Sequence, residues 1–345
     1  MQESNKLESL VVCPLCKSQE STPFLTGKDI IYALSPDIFS YVSCQDCSLV
    51  YLQQRVHESD LSSIYPDDYA PYATAKCVAR QSGREEDAVV RLFGSSLIPD
   101  RVQNICSKVL GFFFKDKISS ELARVFSRTE TGNLILDFGC GSDVFLNKMR
   151  ALGWETIGMD FNVGTIGDVV SSGHKGVLFN DELAWNEIQD DSIDVIRLNH
   201  VVEHLYEPSK ILDKLYSKLR NGGIIYMSTP NINGVSATRF KSNWWGLDCP
   251  RHVMLFSPNT LQTLLTKSGF SESRIYHESI SKDYVRSLAF ELVGDAGIKM
   301  DAIIGLDANT KLVRRYAIKT KIASIFGKGD RFHVFSKKMT PKSIN

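Results

Sequence analysis

The 345-residue chain has no excess charge: 40 Lys and Arg stand against 40 Asp and Glu, and no long basic run breaks the balance. A protein that grips nucleic acid through its phosphates needs a basic surplus, so no nucleic-acid partner is expected. Long apolar runs are also missing. The most apolar stretch, Val109 to Phe114, is far shorter than the ~20 residues that span a bilayer. Met1 to Leu10 lacks the apolar core of a secretory signal. No membrane insertion is expected, and the expected location is the cytoplasm. No internal repeat and no low-complexity segment is visible. The composition is that of an ordinary soluble protein, and the length allows two or three domains.

Eight cysteines are present, and in a reducing compartment they should stay unpaired. Four form two C-x-x-C knuckles, Cys13-Pro-Leu-Cys16 and Cys44-Gln-Asp-Cys47, separated by 27 residues. Four thiolates from two tight turns suit a closed, structural zinc site. Two unrelated reduced pairs, or a redox dithiol, are the alternatives. Cys77, Cys106, Cys140 and Cys249 stand alone and read as small packed residues.

Chemistry concentrates further along. Leu134-Ile135-Leu136-Asp137 is an apolar run ending in an acid, and Gly139-Cys140-Gly141 follows it. A helical pattern then runs from Val144 to Leu152. This is a strand, a tight turn and a helix. The glycines let the backbone approach a ligand, and the helix presents its positive end. A second strand pattern, Thr156 to Met159, ends in Asp160, which suits the hydroxyls of a ribose. A dinucleotide fingerprint would need glycine or alanine where Val144 stands. An acid before the turn, as at Asp137, meets a phosphate badly and a cation well. A fourth strand pattern, Ser192 to Leu198, leads into His200-Val-Val-Glu203-His204. Leu219 to Gly223 reads as a helix stop with a glycine turn, and Ile224 to Ser228 as a fifth strand.

The Asp-x-Gly-x-Gly turn and the motifs after it resemble the class I S-adenosylmethionine-dependent methyltransferases. That resemblance implies an α/β fold with a Rossmann-like, mostly parallel seven-stranded sheet flanked by helices. It assigns Gly139 and Gly141 to the methionine end of the cofactor and Asp160 to its ribose; Asp137, Cys140, Phe161, Asn199 and His200 beside them are the further candidate cofactor contacts. Asp143 stands where the family has a third glycine. It reads as a helix N-cap or as a residue that crowds the pocket.

The expected organisation is a zinc-ribbon lobe and connector (1–74), a helical segment (75–130), the methyltransferase core (131–280) and a helical C-terminal segment (281–345). A late strand, Arg331 to Ser336, should return to the sheet.

Methyl transfer needs an aligned nucleophile and, for a hydroxyl or carbon acid, a base. His252 is the first candidate and His204 the second. His252 lies in Trp244 to Ser257, between the fifth strand and a helix, where substrate loops gather. Trp244, Trp245 and Arg251 of this loop, with Tyr69 and Tyr72 of the Tyr65–Tyr72 connector, are the candidate acceptor contacts. The order of knuckles, connector, core and Pro-Arg-His loop is similar to zinc-ribbon methyltransferases of bacterial saccharide pathways, some of which methylate carbon in nucleotide-linked sugars. In those relatives a glutamate precedes the histidine; here that position is Arg251. O- or C-methylation of a small, sugar-containing acceptor is the expected function. A catalytically silent binding or scaffold protein is the alternative.

Overall fold

The structure, a computed structural model, describes residues 6–65, 117–126, 133–294 and 310–339. Tyr69, Tyr72, Cys77, Cys106 and most of the expected helical segment at 75–130 lie outside them.

The large sheet has seven strands. Strands β6 (Leu134–Phe138), β7 (Glu155–Asp160), β8 (Lys175–Leu178), β9 (Ile193–Asn199) and β10 (Leu219–Pro230) are parallel. The order is β12-β13-β10-β9-β6-β7-β8, with β12 (Phe270–Glu278) and β13 (Arg331–Lys338) at one end. β13 runs antiparallel to both neighbours. The expected Rossmann-like, mostly parallel sheet is present.

The strand sequences explain the layering. Leu136, Phe138, Ile196, Leu198, Ile225 and Met227 join the main core. Ile135, Val195, Tyr226 and Phe335 form a second core with Met149, Trp154 and Phe126. A sheet buried on both faces needs such near-continuous apolar strands. Phe126 ends helix α1 (Lys117–Phe126), and its carbonyl accepts from the Trp154 indole at 2.9 Å. Helices α2 (Val144–Ala151), α3 (Val163–Ser171), α4 (Pro208–Lys218), α5 (Val235–Phe240) and α6 (Pro258–Lys267) connect the strands. α6 opens with a capping box, Ser257 and Thr260 each bonding the other's backbone N–H. α7 (Ser281–Val293) and α8 (Thr310–Ile325) precede β13.

The reading of Leu219–Gly223 as a glycine turn between helix and strand needs correction. α4 stops at Lys218, and Leu219 already pairs with Ile193. The register then shifts before Ile224, with Gly222 at φ +76° inside the irregularity.

The small lobe carries a four-stranded antiparallel sheet in the order β11-β4-β3-β2. Three strands are N-terminal: β2 (Ser21–Gly27), β3 (Phe39–Cys44) and β4 (Val50–Leu52). The fourth, β11 (Met254–Leu255), follows the candidate acceptor loop. β1 (Leu7–Ser9) and β5 (Gln54–Val56) pair separately. The N-terminal strands are therefore joined by one from about 200 residues downstream, and apolar residues of both sheets share one buried core.

Close packing behind the turn is strict at Gly158. A Cβ there would come within 2.7 Å of Leu146 Cδ1 and 3.1 Å of Val169 Cγ1, both on fully buried side chains. Gly158→Ala should cost about 1–3 kcal/mol through overpacking. The check is the denaturant midpoint, which should fall, whereas an unchanged midpoint would mean that α2 and α3 yield freely.

Candidate functional site at the carboxyl ends of the strands

Strand order reverses between β6 and β9, which puts a crevice outside their carboxyl ends. Gly139 and Gly141 turn the chain there with φ of +69° and +61°, values that favour glycine. The Gly141 N–H donates to Asp160 Oδ2 at 2.9 Å, and Asn162 N–H donates to Asp160 Oδ1 at 2.9 Å. Asp160, only 4 % exposed, is thus fixed between the two strand ends. Burial raises its pKa; the N–H donors pull against burial, and the Asp137 charge adds to it. Phe161 follows, 57 % exposed, with its ring 6.0 Å from that of Tyr65. Asn199 ends β9, and His200 after it takes φ +56° while its N–H donates to the Ser228 carbonyl. Cys140 is buried, and its thiol pKa is pushed up by burial and by Asp137 and Asp160.

Asp137 differs from expectation. Its cation is not a ligand's but that of Arg197, whose Nη1 donates to both carboxylate oxygens at 2.7 and 2.8 Å. The two residues are register partners on β6 and β9. The guanidinium is also 4.0 Å from the Phe145 ring. A charged residue inside the apolar run Ile193–Leu198 was the available sign of such a partner. Asp143 sits at the N-cap position of α2 without capping it. Its Oδ2 accepts instead from Asn147 at 2.8 Å and Ser172 at 2.5 Å.

Beside the turn lies an acid–imidazole group. Val201 links the two: a Cβ on Gly139 would meet Val201 Cγ2 at 2.5 Å. Glu203, 1 % exposed, accepts from Thr229 at 2.9 Å and faces His200 Nδ1 at 3.2 Å. Burial alone would raise its pKa, but His200, His252 and His204 hold it at about 2. His204 is held at about 4 by burial and by His252, with Glu203 and Asp248 opposing. His204 Nδ1–H donates to the Arg251 carbonyl at 3.0 Å, and Tyr65 Oη lies 3.2 Å from the same nitrogen. His252 Nδ1–H donates to the Gly246 carbonyl at 2.9 Å, so Nε2 is the nitrogen that carries the lone pair in the neutral ring. That Nε2 is 4.0 Å from Glu203 Oε1 and 3.9 Å from Asp248 Oδ2. The His204 and His252 rings are 4.7 Å apart. One donor atom each from Glu203, His204 and His252 lie within 4.8 Å of one another.

The acceptor-loop expectations for Trp244 and Arg251 are corrected. Trp244 is buried and packs against Gly246. Trp245 is half-buried, 5.5 Å from the Phe290 ring and under the Arg286 guanidinium. The Arg251 side chain is wholly buried: it bonds Asp29 through Nη2 at 2.6 Å, Asp248 through Nε at 2.8 Å and the Ile64 carbonyl through Nη1 at 3.0 Å. It cannot reach an acceptor. It pins the loop to the lobe, as do the bonds from Tyr41 Oη to the His252 carbonyl and from Leu52 N–H to the Val253 carbonyl. No sequence signal pointed to Asp29. Glu203 was legible in the His200–His204 string but carried no assigned role.

In the lobe, Cys13, Cys16, Cys44 and Cys47 converge, with Sγ contacts of 3.5 Å (Cys13–Cys47) and 3.4 Å (Cys16–Cys44). The two knuckles are built alike. Lys17 N–H donates to the Cys13 carbonyl and Ser48 N–H to the Cys44 carbonyl, each at 3.0 Å. Both donors are left-handed, at φ +65° and +62°.

The profile of a methyltransferase-domain family matches residues 113–272. The match covers 160 of the 345 residues and takes in six of the seven strands of the large sheet, β6 to β10 and the start of β12. A ubiquinone biosynthesis O-methyltransferase of Paraburkholderia phymatum is 31 % identical over 108 residues, 30 % of this chain and 47 % of that protein. A probable S-adenosylmethionine-dependent methyltransferase of Mycolicibacterium smegmatis is 28 % identical over 29 % of this chain and 39 % of its own length. In both, the match spans less than half of the relative. A solved methyltransferase from Archaeoglobus fulgidus aligns with 68 % of this chain and 100 % of its own, at 22 % identity and a TM-score of 0.44.

Arg251→Met keeps the bulk but leaves Asp29 and Asp248 without their cation. Stability should fall by about 3–5 kcal/mol, the usual cost of breaking a buried pair from one side. Chemical denaturation checks this. A normal midpoint with only a raised KM for the acceptor would return Arg251 to the acceptor site.

Proposed function

We propose that this protein transfers a methyl group from S-adenosylmethionine to a small-molecule acceptor, with His252 taking the acceptor's proton. The observation that carries the reading is His252 Nε2, left with its lone pair beside the ionised Glu203, in a group that touches the glycine turn through Val201.

The residues fit the cofactor by their chemistry. The left-handed turn at Gly139 and Gly141 opens the backbone to the methionine end, Asp160 offers a carboxylate to the ribose, and exposed Phe161 offers an apolar wall. Bound S-adenosylmethionine supplies an electrophilic methyl group on a sulfonium that becomes a neutral thioether. The chain's own task is to align the acceptor and remove its proton. His252 does this at Nε2, and the new charge on its ring is balanced by Glu203 and Asp248. His204, neutral at pH 7, adds no positive charge to oppose it. Arg251 supports His252 from behind, in place of the glutamate expected at that position.

A sugar-containing acceptor is proposed from the order of knuckles, connector, core and Pro-Arg-His loop. The competing reading, a silent scaffold, rested on Asp143 and Arg251. Both have structural partners, Asn147 and Ser172 for Asp143 and Asp29 and Asp248 for Arg251, which supports the catalytic reading. We also assign structural zinc to Cys13, Cys16, Cys44 and Cys47. A tetrahedral four-thiolate site with Zn–S of about 2.3 Å needs sulfurs about 3.8 Å apart, close to the spacing seen.

His252→Ala should keep S-adenosylmethionine affinity in calorimetry while turnover falls roughly 10²–10⁴-fold. Gly141→Val and Asp160→Ala should each weaken the cofactor by about 1–3 kcal/mol. Full turnover in His252→Ala would sink the base assignment, and unchanged affinity in the other two would sink the cofactor site.

Metal analysis should find one zinc per chain, and Cys16→Ser should destabilise the lobe more than it changes methyl transfer. A folded, metal-free lobe would overturn the zinc assignment. A second equivalent that disappears in His252→Ala would mean that Glu203, His204 and His252 hold a cation instead.

A further inference from the structure

Helix α8 presents two different faces. Its inner face is anchored: Tyr316 stacks on Tyr284 with centroids 4.8 Å apart, and buried Thr320 bonds Ser279 at 2.9 Å. Its outer face is apolar in the wrong direction for a water-facing helix. Ile318 is 72 % exposed, Ile322 47 %, Ile325 57 % and the following Phe326 76 %. Their spacing of four, three and one residues makes a single stripe at 3.6 residues per turn.

The charge around the stripe is one-sided. Residues 310–328 hold six Lys or Arg and no Asp or Glu, within a chain whose net charge is zero. On a helical projection, Arg314 and Lys321 flank one side of the stripe, and Arg315 and Lys319 the other. Lys319 Nζ also bonds the Tyr284 hydroxyl at 2.8 Å. Among the described residues no helix is long and apolar enough to cross a membrane, so the stripe is not part of a span.

We propose that α8 docks the protein on an anionic lipid surface, lying in the plane of the interface with its isoleucines and Phe326 among the acyl chains. Cations on both flanks of an apolar stripe, with no carboxylate in residues 310–328 themselves, match a laterally uniform negative surface. The placement has a use. α8 leads through Lys328, whose carbonyl accepts from Val235 N–H, into Arg331, which pairs with Pro230 at the carboxyl end of β10. The C-terminal end of the docked helix therefore lies on the side of the sheet to which the parallel strands point their carboxyl ends.

The test is flotation of the intact, zinc-loaded protein with neutral phosphatidylcholine vesicles and with vesicles holding about 30 mol % phosphatidylglycerol. Partition should be at least about tenfold higher on the anionic vesicles and should fall in high salt. Ile322→Glu with Phe326→Glu, and separately Arg314→Glu with Arg315→Glu, should each lower it about tenfold. Circular dichroism and S-adenosylmethionine calorimetry should stay unchanged, because these side chains point away from the core and the crevice. Equal partition on both vesicles, or full binding by both variants, overturns the proposal. So does a dimer in light scattering that Phe326→Glu dissociates while no vesicle binding is seen: the face would then be a self-association surface.

Discussion

A guanidinium shut away from water needs carboxylates in hydrogen-bonding reach, and Arg251 finds them in two separate stretches of chain. Asp248 comes from its own loop, and Asp29 from the small lobe, 222 residues earlier. In the low dielectric between lobe and domain, loss of any member leaves an uncompensated charge. The geometry downstream depends on this pairing. The Arg251 carbonyl holds His204, the next residue is His252, and Asp248 faces the free nitrogen of His252. One buried ion group thus fixes the lobe, the loop and the orientation of two imidazoles together.

The electrostatics of the crevice follow a similar economy. Each acid near the turn already has its partner: Asp137 has Arg197, Asp160 has backbone N–H groups, and Glu203 has Thr229 and His200. Fixed dipoles of this kind need no rearrangement when charge moves during a reaction. They also keep the carboxylates ionised or anchored where bare burial would favour protonation.

Local signals were legible in the sequence. The Gly139–Gly141 turn and Asp160 announce themselves because a strand, a left-handed turn and a helix leave a fixed string of residue types. The twin C-x-x-C knuckles do likewise through their spacing, although the left-handed Lys17 and Ser48 after them left no sign. Long-range pairings left no such string. Asp29 is an acid in a loop like many others until the fold brings Arg251 to it. Trp244 looked available because two tryptophans in a polar loop invite a ligand, yet Gly246 gives the ring a place to pack. Arg251 looked available for the same reason that most arginines do: charge predicts exposure unless a partner is known. β11 was hidden by its brevity, since two residues carry no periodicity.

That short strand orders events during synthesis. Until Met254 and Leu255 emerge from the ribosome, β4 is an open edge with Val50, Tyr51 and Leu52 lacking their outer neighbour. An unpaired apolar edge is a template for pairing with another chain. The N-terminal sheet thus stays incomplete until β6 to β10 have been made, and the nascent chain carries its open edge through that interval. Contacts of such sequence separation slow folding and lengthen exposure to misassociation. Dissection at the apparent domain boundary would leave both fragments with that same raw edge.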